Sequence, residues 1–313
     1  MHVSSIHHIT AVSSDPVQTH HFYTKILGLR LVKKSVNQDD TATYHLFFGN
    51  TLGTPGMDLT FFPFQPVVDG RRGPGVVSKI SLSIPRKSLK FWQKRFEQFS
   101  ITFHESLDQE TNEQSLIFFD EDNQQLELVA TDSFAKHYEQ AVWSTTDVPT
   151  EHAIRCFHQA TLSVASAAQI TPVLEVLGFS ATQNSNAIWQ LPKTANANQL
   201  EILVDTSNPR GIVGAGTVHH IAFGVPDDEA QLQVKSAIQA LGLQTTAVID
   251  RFYFKSVYFL TPAGILFEIA TDQPGFTADQ SESELGKTLA LPPFLESQRS
   301  SIEAKLPPLP TNE

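Results

Sequence analysis

The sequence predicts an α+β protein: four βαβββ modules that pair into two cup-shaped mixed sheets. Three observations lead there. A strand, helix, then strands order recurs along the 313 residues at intervals on the order of 70 residues, too long for a solenoid unit and right for a small module that must pair to bury its sheet. Three of the helical segments end on the related stretches "ILGL" (26–29), "VLGF" (176–179) and "ALGL" (240–243), each with glycine just past the last apolar residue. The first and last copies open on nearly the same strand, "IHHITAV" (6–12) and "VHHIAFGV" (218–225).

In the first module the strand "IHHITAV" precedes a helix that Asp15 can cap, with Pro16 in its first turn and Gly28 as its stop. Phe22, Tyr23, Ile26 and Leu27 form its buried stripe. The strand-like runs "RLVKKSV" (30–36), "YHLFFGN" (44–50) and "MDLTFFPF" (57–64) complete the module. The second module reads as "VSKISLSIP" (77–85), a helix around Leu89, Trp92, Phe96 and Phe99, then "QSLIFFDED" and "QLELVATD"; it lacks the terminal glycine. The third comprises "FHQATLSVA" (157–165), a helix, "AIWQLP" and "QLEILVD". The fourth comprises "VHHIAFGVP" (218–226), a helix, "TAVIDR", "KSVYFLTPAG" and "ILFEIATD" (265–272).

Adjacency along the chain suggests that modules one and two (1–140) form one cup and modules three and four (150–275) the other, with "YEQAVWSTTDVPTEHAIR" (138–155) as linker. The polar, proline-rich residues 276–313 read as a surface-hugging or partly loose tail.

Composition excludes several functions. With 41% hydrophobic and 18% charged residues the chain is globular, and a net charge of −11 argues against nucleic acid or an anionic membrane as partner. The single cysteine, Cys156, supports neither an internal disulfide nor a multi-thiolate metal site. No apolar run reaches the roughly 18 residues a membrane helix needs, and the N-terminus has no basic start followed by an apolar block. The expectation is a soluble, cytoplasmic protein, with a homodimer expected on base rate alone.

Chemistry concentrates in the first and last modules. Glu268 lies inside the apolar strand "ILFEIATD", on one face with Leu266 and Ala270. A carboxylate buried there needs a cation or donors, since leaving it unpaired costs several kcal/mol. His7 or His8 and His219 or His220, at equivalent points of two repeats, are its natural companions. Two imidazoles and a carboxylate make the facial set that holds iron(II), or manganese(II), with coordination positions left open. The other two modules supply an internal control: Gln159 aligns with His220 and Lys79 stands at the same place in module two, while Glu127 and Glu201 persist as vestiges or solvent-facing groups. One metal site is therefore expected, joining module one to module four. His20, His21, His45, His104, His137 and His152 lie in polar surroundings and are set aside as ligands. Tyr258 and Arg251 precede Glu268 in the same module. They fit a hydrogen-bond donor or acid and an anchor for an anionic substrate. No phosphate-binding loop or nucleophile elbow is present.

Together the repeats, "IHHIT", "FYTKILGLRLVKKSVN", "YHLFFGNTLGTPGMDLTFFP", "VHHIAFGVP" and "YFLTPAGILFEIATD" resemble the vicinal oxygen chelate superfamily, over nearly the whole chain. Within it they are similar to ring-cleaving dioxygenases of the hydroquinone 1,2-dioxygenase type, related to bacterial quinone-stress proteins. The resemblance implies iron(II) held by His8, His220 and Glu268, with dioxygen as co-substrate and a small aromatic diol as substrate. It also implies that His7, Thr10, His219, Arg251 and Tyr258 form a polar shell around that substrate. Two other readings compete: a glyoxalase-like isomerase or lyase using zinc, nickel or manganese, and a metal-free sequestering protein of the bleomycin-resistance kind.

Overall fold

The structure, a computed structural model, describes residues 2–183, 185–192 and 198–310. Module one contains β1 (Ile6–Ser13), α1 (Pro16–His20, continued as a π-helical segment His21–Ile26), β2 (Arg30–Asn37), β3 (Asp40–Gly49) and β4 (Asp58–Pro63). Module two contains β5 (Val76–Ile84), α2 (Leu89–Gln98), β6 (Phe103–Leu107), β7 (Gln114–Phe119) and β8 (Gln125–Ala130). A short α3 (Lys136–Gln140) lies in the connection to module three: β9 (Phe157–Val164), α4 (Thr171–Leu177), β10 (Ser180–Ala181), β11 (Ile188–Gln190) and β12 (Gln199–Val204). Module four has β13 (Thr217–Val225), α5 (Asp228–Ala240), β14 (Ile249–Asp250), β15 (Lys255–Leu260) and β16 (Leu266–Thr271), before a terminal α6 (Arg299–Glu303).

The local signals act as expected. Asp15 accepts from the backbone N–H groups of Val17 and Gln18 at the start of α1. Gly178 ends α4 at φ 98°, where a side chain would be strained. Module two, without a glycine there, puts Ser100 into the left-handed region at φ 57° just after α2.

Each sheet has eight strands, in the orders β14-β15-β16-β13-β1-β4-β3-β2 and β10-β11-β12-β9-β5-β8-β7-β6. Module four therefore pairs with module one, through antiparallel β1 and β13, and module three with module two, through β5 and β9. This corrects the pairing drawn from chain adjacency. Charge gives the physical reason: the observed pairing sets two histidines around one buried carboxylate in the first cup, and a lysine between two carboxylates in the second. Joining modules three and four would have brought Glu201 and Glu268 together without a cation.

The two cups share one hydrophobic core, joined by ring contacts such as Phe22 with Phe118 and Phe179 with Phe223. Arg95 of α2 ties the modules further by donating to the Ile26 carbonyl at 2.7 Å and the Lys25 carbonyl at 2.6 Å, at the end of the first helix.

The tail is anchored along its described length, to residue 310, rather than partly loose. Phe276 packs on Val32, Phe47 and Tyr253 of the first cup, while Leu291, Leu295 and Ile302 pack on Val36. Fully buried Lys33 reaches Asp279 at 2.8 Å and Gln280 at 2.6 Å. Burial lowers the Lys33 pKa and Asp279 works to raise it, so the tail carboxylate supports a charge that would otherwise be costly.

Candidate metal centre

Register explains the doubled histidines. Between Ile6 and His8 strand β1 advances two residues while β13 advances one, so His7 is the extra residue of a bulge; on the other side of the pair, His219 is the extra residue of β13 between Thr10 and Ala11. A bulge breaks the strict alternation of a strand. Both rings of each pair can then meet: His7 Nδ1 lies 2.9 Å from His8 Nδ1, and His219 Nδ1 lies 2.8 Å from His220 Nδ1.

The second ring of each pair points its other nitrogen at Glu268. His8 Nε2 and His220 Nε2 lie 3.2 Å and 2.9 Å from Glu268 Oε2, and 3.3 Å from each other. All three side chains are buried, and their ligand atoms fall within 4.8 Å of one another. Glu268 Oε1 accepts from Ser256 Oγ at 2.5 Å, but Oε2 has no hydrogen-bond donor aligned on it despite the two nearby nitrogens. Burial opposes the Glu268 charge, yet His8 and His220 hold its pKa well below the usual carboxylate range.

These observations fit a cation. Burial, then His8, push the His7 pKa down to about 3, so the ring is neutral and has one N–H. Of the facing nitrogens His7 Nδ1 and His8 Nδ1, 2.9 Å apart, one must donate and the other accept, and with the proton on His8 Nδ1 its Nε2 presents a lone pair toward Glu268. A bare nitrogen beside a carboxylate oxygen that no donor satisfies is a pair of lone-pair groups converging on one point, as a metal ion requires. His8, His220 and Glu268 are the residues that could hold it.

The centre opens on a cavity of about 450 Å³. That lies within the ordinary range of small-molecule sites, roughly 300–1,000 Å³. His45, Phe47, Phe62 and Phe254 give it aromatic walls; His219, Tyr258 and Arg251 add polar groups. Burial, then the Glu268 charge, raise the Tyr258 pKa, so its phenol stays protonated. The Arg251 guanidinium lies over the Tyr258 ring, 5.6 Å from its centre, and pairs with Asp39 at 2.8 Å. Burial, then His220, push His219 down to about 3.

The polar shell implied by the resemblance is thus divided. His219, Arg251 and Tyr258 face the cavity, while His7 and Thr10 stand behind the ligand atoms and do not line it. Fully buried Thr10 has its Oγ1 2.9 Å from His220 Nε2 and 2.7 Å from Thr60 Oγ1. His45, set aside in the sequence, lines the cavity, and its Nε2 lies 2.9 Å from Thr60 Oγ1. A lone histidine in "YHLFFGN" offers no repeat partner, and only its shared strand phase with Phe47 hinted at its direction.

The second cup keeps both bulges, with Ser78 and His158 as the extra residues, which makes Lys79 the counterpart of His8 and Gln159 that of His220. Lys79 Nζ lies 2.9 Å from Glu127 Oε2 and 3.9 Å from Glu201 Oε2, and Gln159 donates to Glu201 at 3.0 Å. A tethered ammonium stands between the two carboxylates. Glu127 is buried and Glu201 half-buried beside the lysine, and among the described residues the triad of the first cup is the single such cluster.

A sequence profile of the Glyoxalase/Bleomycin resistance protein/Dioxygenase superfamily matches residues 5–128. The chain is 37% identical over 318 aligned residues, covering 99% of this chain and all of the relative, to a protein of Bacillus subtilis (strain 168) named as ring-cleaving dioxygenase MhqA. It is 32% identical, over 96% of this chain and 95% of the relative, to chlorohydroquinone/hydroquinone 1,2-dioxygenase of Sphingobium indicum. A crystal structure from Bacillus subtilis, described as a dioxygenase, superposes with a TM-score of 0.92 at 37% identity, covering 100% of this chain and 99% of that one. Glyoxalase I from Zea mays shares the fold alone, with a TM-score of 0.61 at 14% identity over 86% of this chain and 92% of that one. No helix among the described residues is long and apolar enough to cross a membrane. Fold, repeated modules and relatives matched from end to end agree: the chain belongs to the Glyoxalase/Bleomycin resistance protein/Dioxygenase superfamily, alongside proteins named as ring-cleaving dioxygenases.

Proposed function

We propose that this protein is an iron(II)-dependent dioxygenase that opens the ring of a hydroquinone-type or catechol-type diol, placing both atoms of dioxygen in the product. The observation that carries the reading is the buried His8, His220 and Glu268 cluster at the base of an aromatic-walled cavity, with Glu268 Oε2 lacking an aligned donor. The relatives named as ring-cleaving dioxygenases support it, and the hydroquinone named for one of them supports the substrate class.

Iron(II), when bound, supplies open coordination positions and an electron path that lets a closed-shell aromatic react with triplet dioxygen. The chain's own residues do the rest. Ser256 fixes the carboxylate plane of Glu268, and His7 fixes the His8 ring with Nε2 forward. Phe47, Phe62 and Phe254 exclude water and hold a planar ring near the ligand face. Tyr258, kept protonated, donates a hydrogen bond to a substrate oxygen, and neutral His219 adds a polar ring to the same wall of the cavity. Arg251 lends positive charge to the acid formed when the ring opens.

The test is anaerobic reconstitution with iron(II), followed by oxygen uptake on a panel of hydroquinones and catechols. The expected result is stoichiometric uptake with at least one diol. Absence of uptake with all of them, in protein shown to contain iron, overturns the reading. Manganese(II) loaded in parallel identifies the metal that supports turnover.

A further inference from the structure

His45 Nε2, Thr60 Oγ1, Thr10 Oγ1 and His220 Nε2 form an unbroken row, with separations of 2.9, 2.7 and 2.9 Å. The row begins at a nitrogen of the metal centre and ends on a ring that lines the cavity. The His45 ring is held between Phe47 and Phe62, with centroids at 3.9 and 4.3 Å, so it cannot turn freely to exchange its nitrogens. Its Nε2 is engaged by Thr60, and Nδ1 makes no hydrogen bond among the described residues and is not sealed from solvent. Burial keeps the ring neutral, with one N–H to place on either nitrogen.

We propose that a metal ion held by His8, His220 and Glu268 sets the tautomer of His45 through Thr10 and Thr60, making His45 Nδ1 an N–H donor to substrate oxygen in the cavity. The inference rests on the metal-centre reading above. Each hydroxyl donates one hydrogen bond, so the row has a direction. With the His220 Nε2 lone pair committed to a metal, Thr10 can give its proton only to Thr60, and Thr60 then gives its own to His45 Nε2. The His45 proton must then sit on Nδ1. In the metal-free protein the row can run the other way: Thr10 donates to His220, Thr60 to Thr10, and His45 donates from Nε2, leaving Nδ1 an acceptor. No net proton is gained or lost. Thr10 and Thr60 are positioning residues, and His45 is the group that meets the substrate.

The test is NMR of protein carrying nitrogen-15 histidine, metal-free and loaded with diamagnetic zinc, with His45 assigned by its loss in His45→Phe. The expected result is Nδ1–H in the zinc form and a gain of Nε2–H on metal removal. Thr60→Val should bind zinc but abolish the change, and Thr60→Ser should restore it. An Nε2–H tautomer in the zinc form, or the same tautomer populations with and without zinc, overturns the proposal. In the iron enzyme His45→Phe should raise KM for a diol by roughly tenfold, the cost of one hydrogen bond, more than it lowers kcat. Failure of every diol to react would sink the dioxygenase reading, while the zinc experiment would still decide the tautomer.

Discussion

Thr60 and Glu268 occupy equivalent places in the two halves of one sheet. Thr60 pairs with Thr10, two residues beyond His8, and Glu268 pairs with Ala222, two residues beyond His220. Module one thus presents a hydroxyl where module four presents a carboxylate, and in the second cup both corresponding positions, Glu127 and Glu201, are carboxylates. A fourth charged donor would fill a position that dioxygen or diol must use. Thr60→Glu should therefore hold divalent metal at least as tightly as the natural chain while losing most oxygen uptake, as read by metal analysis and an oxygen electrode. Full activity with an extra carboxylate ligand would contradict the open-position argument.

Removing a carboxylate should separate the two cups. Glu268→Ala should weaken metal retention by more than the roughly hundredfold that a supporting group contributes. Glu127→Ala should keep its metal, since Lys79 already neutralises that cup. Elemental analysis after dialysis checks both, and equal retention in the two variants would count against the assignment.

Lys79→Met leaves Glu127 and Glu201 facing each other without their ammonium. The pair is only partly exposed, so a loss of stability on the order of 2 kcal/mol is expected, below that of a fully buried pair. Adding Glu127→Gln should recover much of it in urea unfolding, because the uncompensated charge goes with it.

Acid should destabilise the metal-free protein. His7 and His219 have folded pKa values of about 3, lowered from 6.5 first by burial. A depressed histidine pKa means that below 6.5 the unfolded chain binds a proton the folded chain refuses. Their contribution is therefore complete above pH 6.5 and is lost progressively as pH falls toward 3. Thermal melts from pH 7.5 to 4.5 should fall steadily, and bound metal should leave in the same range because ligands must shed protons to bind it. A flat profile would mean that these rings are not the neutral, buried groups described.

At the cavity mouth Asp39 covers Arg251, and Asp39 itself is largely exposed. Such a pair adds little stability. Asp39→Asn should unfold almost as the natural chain does but lower KM for diols bearing a carboxylate, with neutral diols changed less. Unaltered KM for the acidic diols would show that Arg251 is not available to substrate.

The elements were legible because their causes are local. Asp15, Pro16 and the glycines at 28, 178 and 242 mark helix ends through backbone chemistry alone. The alternation in "ILFEIATD" set Glu268 on one face with Leu266 and Ala270, and the structure buries its carboxylate there. The first-and-last grouping of Glu268 with His7 or His8 and His219 or His220 was also readable, since a buried carboxylate needs company and only two modules offer doubled histidines; the choice of His8 and His220 came from the family resemblance. His45, Thr60 and Ser256 were not singled out, because their roles depend on which strands lie side by side.

By itself the sequence determined four modules, the placement of one carboxylate with two histidine pairs, and the absence of a like set elsewhere, because period, caps and residue chemistry act over a few positions. Only the tertiary structure decided which modules share a sheet, that His7 and His219 are bulge residues, that the tail is pinned over the first cup, and that His45 reaches the cavity. Those facts are set by strand register and by charge balance between segments more than two hundred residues apart, and no local rule of the chain encodes them.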